Sequence, residues 1–402
     1  MSALHHQIVI VGGGTAGITV AAQLLRKNKA LDIAIVEPSE KHYYQPAWTL
    51  VAAGTYRIED TVRPEADYMP AGVTWLKDMV TGLNPEENNL TLSDGRIVSY
   101  DYLVLCPGIQ IDWHKIKGLK ETVGKNNVCC NYDFKLAPYT WEALKNFKGG
   151  TALFTNPNTP VKCGGAPQKI MYLAADYMRK NSLLSKSDIH FTTAGGVIFG
   201  VKVFAETLNK VIERYGIKTD FHLNLKEIRP EAQEAVYDVL ENGQPAGEKV
   251  MHYDFIHVTP PMSAPDFIKQ SPLANAAGWI DVDKHTLQST KFANVFGLGD
   301  AAGTPNAKTG AAIRKQAPVL VHNLYNFIKN GNLADAHSYN GYGSCPLITG
   351  YGKLVLAEFD YNNNPTPSFP FINQAKEHYS MWLMKKYALP FMYWNLMLKG
   401  LA

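Results

Sequence analysis

Residues 7–11 (QIVIV) form an unbroken β-branched run, and Val20, Leu24 and Leu25 then recur at helical spacing. Between them lies Gly12-Gly13-Gly14-Thr15-Ala16-Gly17, so the pattern predicts a buried strand, a tight turn and a helix. A second apolar run at 33–36 ends in Glu37. Short strands are predicted at 74–75, 89–92 and 102–105, the last entering the turn Cys106-Pro107-Gly108. A strand at 151–155 opens a second such unit, with a helix starting near Ala166, and residues 294–300 read as another buried strand ending in Gly299-Asp300. Strands alternating with helices predict an α/β fold built on parallel sheets.

The glycine turn is the first candidate for chemistry. Gly12 permits the turn, Gly14 lets the backbone approach a pyrophosphate, Gly17 allows the helix to pack close to the strand, and the helix N-terminus offers free N–H groups to the anion. Glu37, about twenty residues on, is placed to accept hydrogen bonds from a ribose diol. With Ala16 in the turn and Gly108 at the end of a later strand, these residues make a dinucleotide site. The second unit lacks a matching turn. Its strand at 151–155 runs into Pro157 and Pro160, which have no N–H to offer and fix φ against a phosphate cradle. A nicotinamide nucleotide is therefore not expected as electron donor, and Cys163 occupies that segment instead.

The last thirty residues carry a different pattern. Tyr379, Met381, Trp382, Leu383, Met384 and Tyr387, then Phe391, Met392, Tyr393, Trp394 and Leu396, make two short amphipathic pieces on either side of a break at Pro390. Lys376, Lys385, Lys386 and Lys399 oppose a single acid, Glu377. The segment is too interrupted to span a bilayer, but aromatics with lysines suit the headgroup region. A dimer interface or a cover for the core is the alternative.

Composition narrows the classes. With 402 residues the chain has room for several cores, and 46% hydrophobic against 19% charged residues excludes a disordered chain. A net charge of +3 speaks against nucleic acid as partner. Five cysteines make no disulfide scaffold, and their odd number leaves at least one thiol unpaired within the chain. Cys163 precedes the helix near Ala166 and follows Lys162, and both a cation and a helix N-terminus lower a thiol pKa. Cys345 lies in Gly343-Ser344-Cys345-Pro346, read as a fixed turn. Cys106, after apolar strand residues, reads as a small buried hydrophobe.

The first turn and the distant Gly299-Asp300 together resemble the flavoproteins with two dinucleotide-binding domains. That resemblance implies FAD, with Asp300 on its ribityl chain. Three stretches, 157–177 (PNTPVKCGGAPQKIMYLAADY), 257–288 (HVTPPMSAPDFIKQSPLANAAGWIDVDKHTLQ) and 342–361 (YGSCPLITGYGKLVLAEFDY), resemble the sulfide:quinone oxidoreductases, particularly the branch with the animal mitochondrial enzyme. The similarity extends over nearly the whole chain.

The resemblance implies two Rossmann-like domains of glutathione-reductase type followed by the membrane-facing segment. Residues 1–115 and 286–340 form the FAD-binding domain, 116–285 the second domain with Cys163, and 341–402 the Cys345 region and C-terminal segment. It places the redox-active pair on Cys163 and Cys345, with the thiolate that meets the flavin at Cys163 and the persulfide at Cys345. Sulfide attacks the oxidised pair, a disulfide or trisulfide bridge, without a metal, electrons pass through FAD to a membrane quinone, and the sulfur leaves to sulfide, sulfite or a small thiol. Lys308, Lys315 and Gln316 fall in a stretch that by resemblance lines the flavin, each lysine being equally readable as a solvated helix face. Glu358 is a proton relay or a structural acceptor; Cys129 assists or is inert; Cys130 has no assigned role. A homo-oligomer is left open. The expected location is the cytoplasmic face of a bacterial inner membrane, with a mature chain starting near Met1 and nothing exported. Rival readings are a flavin-containing sulfide sensor, a flavocytochrome-type sulfide dehydrogenase and an NAD(P)H:quinone reductase.

Overall fold

The structure, a computed structural model, describes residues 4–402. Strand Leu4–Val11 lies at the centre of the first sheet, parallel to Ile33–Val36 on one side and to Ile97–Leu105 on the other. Val73–Leu76 extends the parallel set, and Val80–Asn84 and Asn89–Leu92 form an antiparallel edge. Ile8 and Ile10 enter one core with helices Thr15–Lys27 and Gly310–Asn330, whereas Val9 and Val11 enter another on the opposite face. Both faces being covered, the strand needs apolar residues at every position rather than at alternate ones. Strand Val295–Gly297 joins this sheet beside Ile97–Leu105, so the chain leaves the first unit and returns to it.

The second sheet is wholly parallel. Its order is Val128–Cys129, Phe255–His257, Gly150–Asn156, Ser187–Thr193, Lys218–Phe221. An antiparallel trio, Leu223–Arg229, Glu234–Glu241 and Gln244–His252, lies at its flank. Helix Ala166–Lys180 is buried from Ala166 to Asp176 because it is covered twice, by the sheet and by the hairpin of Gly343–Gly350 with Lys353–Phe359.

Two local expectations are corrected. Cys345 is in a strand rather than a turn, paired with Ala357 of the returning strand. Pro346 is tolerated because an antiparallel pair leaves alternate N–H groups outside its ladder and this hairpin has free edges. Nor does Pro390 break the C-terminal segment. Helix Tyr379–Leu383, a π turn at Met384–Ala388 and helix Leu389–Asn395 follow without interruption, and Pro390 sits in the first turn of the last, directly after the π turn that widens the register. The π turn also aligns the side chains. Steps of four residues drift by about 40° each around an ideal α-helix, and a wider turn cancels part of that drift. Tyr379, Leu383, Tyr387 and Phe391 consequently make one exposed stripe, 65%, 38%, 60% and 63% accessible, while Met381, Trp382, Lys385, Tyr393 and Trp394 are buried behind it. Among the described residues no helix is long and apolar enough to cross a membrane.

Candidate active site

The site begins at the glycine turn. Gly12 has φ +103°, and a Cβ there would lie 2.5 Å from the Cys106 carbonyl oxygen; one on Gly17 would lie 1.9 Å from that of Gly12. Strand end, turn and helix thus approach as only glycine allows. Gly14 caps the helix without a side chain and faces open space, leaving the first N–H groups of Thr15–Lys27 directed outward. Glu37 is oriented by two backbone donors, Gly13 to Oε2 at 2.8 Å and Ser39 to Oε1 at 2.8 Å. Burial raises its carboxyl pKa against the pull of those bonds. Gly108, φ +78°, faces open space at the end of the neighbouring strand.

Gly299, φ +77°, brings the second nucleotide-facing turn against the first: a Cβ there would stand 3.7 Å from that of Ala16. Its N–H donates to Gln316 Oε1 at 3.0 Å. Beside it, burial raises the Asp300 carboxyl while Lys308 and Lys162 pull it down. Lys308 donates to the Ala302 carbonyl at 3.0 Å and lies 4.0 Å from the Trp279 ring centroid, and burial lowers its ammonium to about 8. The side-chain-free cradle at Gly14, the free helix N–H groups, the oriented Glu37 and the Asp300 turn fit the phosphates, ribose and ribityl chain of FAD.

The same lysine connects this groove to the cysteines, because the Cys163 N–H donates to the Lys308 carbonyl at 2.7 Å. Cys163 is half-buried and has φ +56°, a left-handed conformation that costs a side-chain-bearing residue about 1 kcal/mol. The turn aims its Sγ at the ammonium of Lys169, 2.9 Å away. Burial pushes the thiol up, but the Lys169 charge and hydrogen bond, with the charge of Lys385, outweigh it and hold Cys163 below the ordinary thiol value. Lys385 is 3% exposed, donates to the Pro46 carbonyl at 3.0 Å, and is lowered by burial and Lys169 to about 7.

Cys345 faces this turn across Gly165. A Cβ on Gly165 would stand 3.5 Å from that of Cys345 and 2.5 Å from Leu347 Cδ2, so glycine is what lets the hairpin close on the cysteine turn. Burial, with the charge on Cys163, pushes the Cys345 thiol up to about 12. The fold therefore brings together two remote cysteines in opposed electrostatic settings.

Other expected residues fall elsewhere. The cation beside Cys163 is not Lys162, whose ammonium donates to Gln45 Oε1 at 2.7 Å over Trp48; Lys169 takes that place from the facing helix turn. Lys315 is exposed, 5.8 Å from the Tyr342 ring centroid. Glu358 is a structural acceptor, taking bonds from Tyr342, Gln374 and both the N–H and hydroxyl of Ser368. Cys106 packs within the glycine turn, and burial raises its thiol. Cys129 and Cys130 are fully buried, and burial pushes Cys130 up to about 12. Lys169 was not singled out in the sequence, and Lys385, grouped there with the lysines expected at the headgroup region, is instead buried beside the cysteine pocket. The signal at Lys169 is a lone charge inside the run APQKIMYLAA, which is too apolar for a half-exposed helix.

Known proteins share this architecture. Residues 6–136 match the family described as pyridine nucleotide-disulphide oxidoreductase. The mitochondrial sulfide:quinone oxidoreductase of Mus musculus is 48% identical over 396 residues, covering 98% of this chain and 87% of that protein. The mitochondrial sulfide:quinone oxidoreductase of Dictyostelium discoideum is 49% identical over 398 residues, covering 98% and 86%. The crystal structure of the sulfide:quinone oxidoreductase from Aquifex aeolicus superposes with a TM-score of 0.81 at 20% identity, covering 100% of this chain and 93% of that one, a likeness of fold. The expected bacterial inner membrane finds no support here, since these relatives point to mitochondria.

Proposed function

The chain belongs to the sulfide:quinone oxidoreductase family, and we propose from this that Cys163 and Cys345 are its redox pair, working asymmetrically. The activity is FAD-dependent oxidation of sulfide with a quinone as electron acceptor. The oxidised pair is an electrophile, and HS⁻ attacks Cys345 Sγ in line with the S–S bond. That bond breaks with its electron pair on Cys163, which leaves as a thiolate, while Cys345 becomes a persulfide and the attacking sulfur loses its proton. The ammonium 2.9 Å from Cys163 Sγ is the observation that carries the assignment of leaving group. A stabilised thiolate departs faster, and Cys345 offers no comparable stabilisation.

FAD, when bound, supplies a two-electron acceptor for the thiolate and passes the pair to quinone. The chain's residues hold it and set its surroundings: the 12–17 turn at the pyrophosphate, Glu37 at the ribose, Asp300 at the ribityl chain, and Lys308 as a cation beside the ring system. The outer sulfur of the persulfide passes to a second nucleophile, sulfide, sulfite or a small thiol, which releases Cys345 as a thiolate; the S–S bond to Cys163 re-forms as the two electrons of the thiolate pair go to the bound FAD. The buried cations Lys169 and Lys385 favour an anionic acceptor. The exposed stripe Tyr379–Leu383–Tyr387–Phe391 rests at a membrane surface, its aromatics at the headgroup level, where a hydrophobic quinone arrives.

The test is anaerobic mixing with sulfide while flavin absorbance is followed, then addition of a short-chain quinone. Bleaching followed by rapid recovery over repeated cycles is expected. Bleaching without recovery reduces the protein to a sulfide sensor, and bleaching by NADH alone overturns the assignment.

A further inference from the structure

The buried face of the C-terminal segment touches the nucleotide turn as well as the cysteine pocket. Tyr393 is 5% exposed, and its phenol lies 2.8 Å from Thr15 Oγ1 and 2.6 Å from His42 Nε2. His42 Nδ1 lies 2.9 Å from Glu65 Oε2, with both residues 2% exposed. Hydrogen bonds thus join Thr15 Oγ1, the Tyr393 phenol, both ring nitrogens of His42 and Glu65 Oε2 in one chain, whose donor order follows the protonation of His42 and Glu65. Burial raises the Tyr393 phenol, so it keeps its proton.

The chain of bonds ends at the turn in two places. Thr15 is the first residue of the helix whose free N–H groups face the pyrophosphate, and Glu65 Oε1 would stand 2.9 Å from a Cβ on Gly13. Gly14 contributes no side-chain cap, so nothing within the turn itself restrains Thr15 through its hydroxyl. Downstream, Met397 and Leu398 pack in the same core as helix Thr15–Lys27, and a Cβ on Gly400 would meet the Gln23 nitrogen at 2.9 Å. The segment therefore lies along that helix from its N-terminal turn onward.

We propose that Tyr393 is a positioning residue for the cofactor: from the membrane-facing segment it clasps Thr15 and His42 and so holds the pyrophosphate-binding turn in its FAD-retaining geometry. This rests on the FAD reading above. Thr15 is left with its N–H aimed at the phosphate because its hydroxyl is engaged behind it. FAD retention then depends on a residue nearly four hundred positions from the turn in sequence, on the element that carries the lipid-facing stripe.

The test measures FAD release from purified holoenzyme as the rise in flavin fluorescence after dilution. Tyr393→Phe keeps the ring, which packs 4.7 Å from Tyr44 and 5.0 Å from Trp394, and removes only the hydroxyl. Release about tenfold faster is expected, the loss usual for a buried hydroxyl bond. Thr15→Val should do the same, Thr15→Ser should keep the parental rate, and Tyr393→Phe with Thr15→Val should be no faster than either alone. A melting temperature that falls while release stays within twofold, or a double variant with multiplied effects, overturns the proposal. Should Tyr393→Phe not fold, the Thr15→Val and Thr15→Ser pair decides it with the C-terminal segment intact. Parental protein without a flavin spectrum would instead defeat the FAD reading itself.

Discussion

Cys163 and Cys345 meet across one glycine, yet their supports could hardly differ more. Cys163 sits on a strained turn before a helix, half-buried, with an ammonium against its sulfur. Cys345 sits within a regular hairpin strand, 2% exposed, with its thiol pushed up to about 12. A symmetrical dithiol would break either way when attacked. Here the Lys169 ammonium touches only the Cys163 sulfur, and on the proposed mechanism this contact would set the direction of cleavage.

The hardest test removes one partner altogether. Cys163→Ser and Cys345→Ser should each slow sulfide-driven flavin reduction by on the order of a thousandfold or more in stopped flow, with the bound-flavin spectrum intact. Full activity in either would remove that residue from the pair. Erasing the asymmetry while keeping both sulfurs is the next step. Lys169→Met should return the Cys163 thiol toward its ordinary range and slow its alkylation by iodoacetamide at neutral pH about tenfold or more, with Lys169→Arg milder. In the parental reduced protein, rising pH deprotonates Cys163 first, because its pKa lies below the ordinary value, and Cys345 only near about 12. Peptide mapping across a pH series should therefore find label on Cys163 alone through the neutral and mildly alkaline range. Equal labelling would contradict the contrast. A smaller effect concerns delivery rather than chemistry: Leu383→Glu with Phe391→Glu should weaken vesicle co-sedimentation about tenfold and leave turnover with a water-soluble quinone near normal. Least of all, Cys106→Ala should shift the melting curve by about 1 kcal/mol and spare activity, since that thiol only packs the turn.

Legibility followed the range of the interactions. The glycine turn and Glu37 could be read directly because strand, turn and helix are consecutive and each glycine answers a local steric demand. Strand 33–36 matched to the residue for the same reason: an apolar run ending in a carboxylate needs no tertiary partner to be recognised. Cys345 was misplaced into a turn because Gly343 and Pro346 are loop-forming residues locally, and only pairing with 353–359 makes them a strand. Pro390 misled in the same way, since a helix beginning there hides the break that proline usually signals. Lys162 was favoured over Lys169 because it adjoins Cys163 in sequence, whereas a helical turn and the reversal at Cys163 put the sixth residue closer. The paired cysteines themselves came from family resemblance, which carries tertiary information that a single chain does not.

The positive φ of Cys163 has a cost beyond the site. At +56° glycine is the residue the backbone prefers, so Cys163→Gly should relax the turn by about 1 kcal/mol while abolishing turnover. A breeding programme that rewarded heat tolerance alone would drift toward that inert protein.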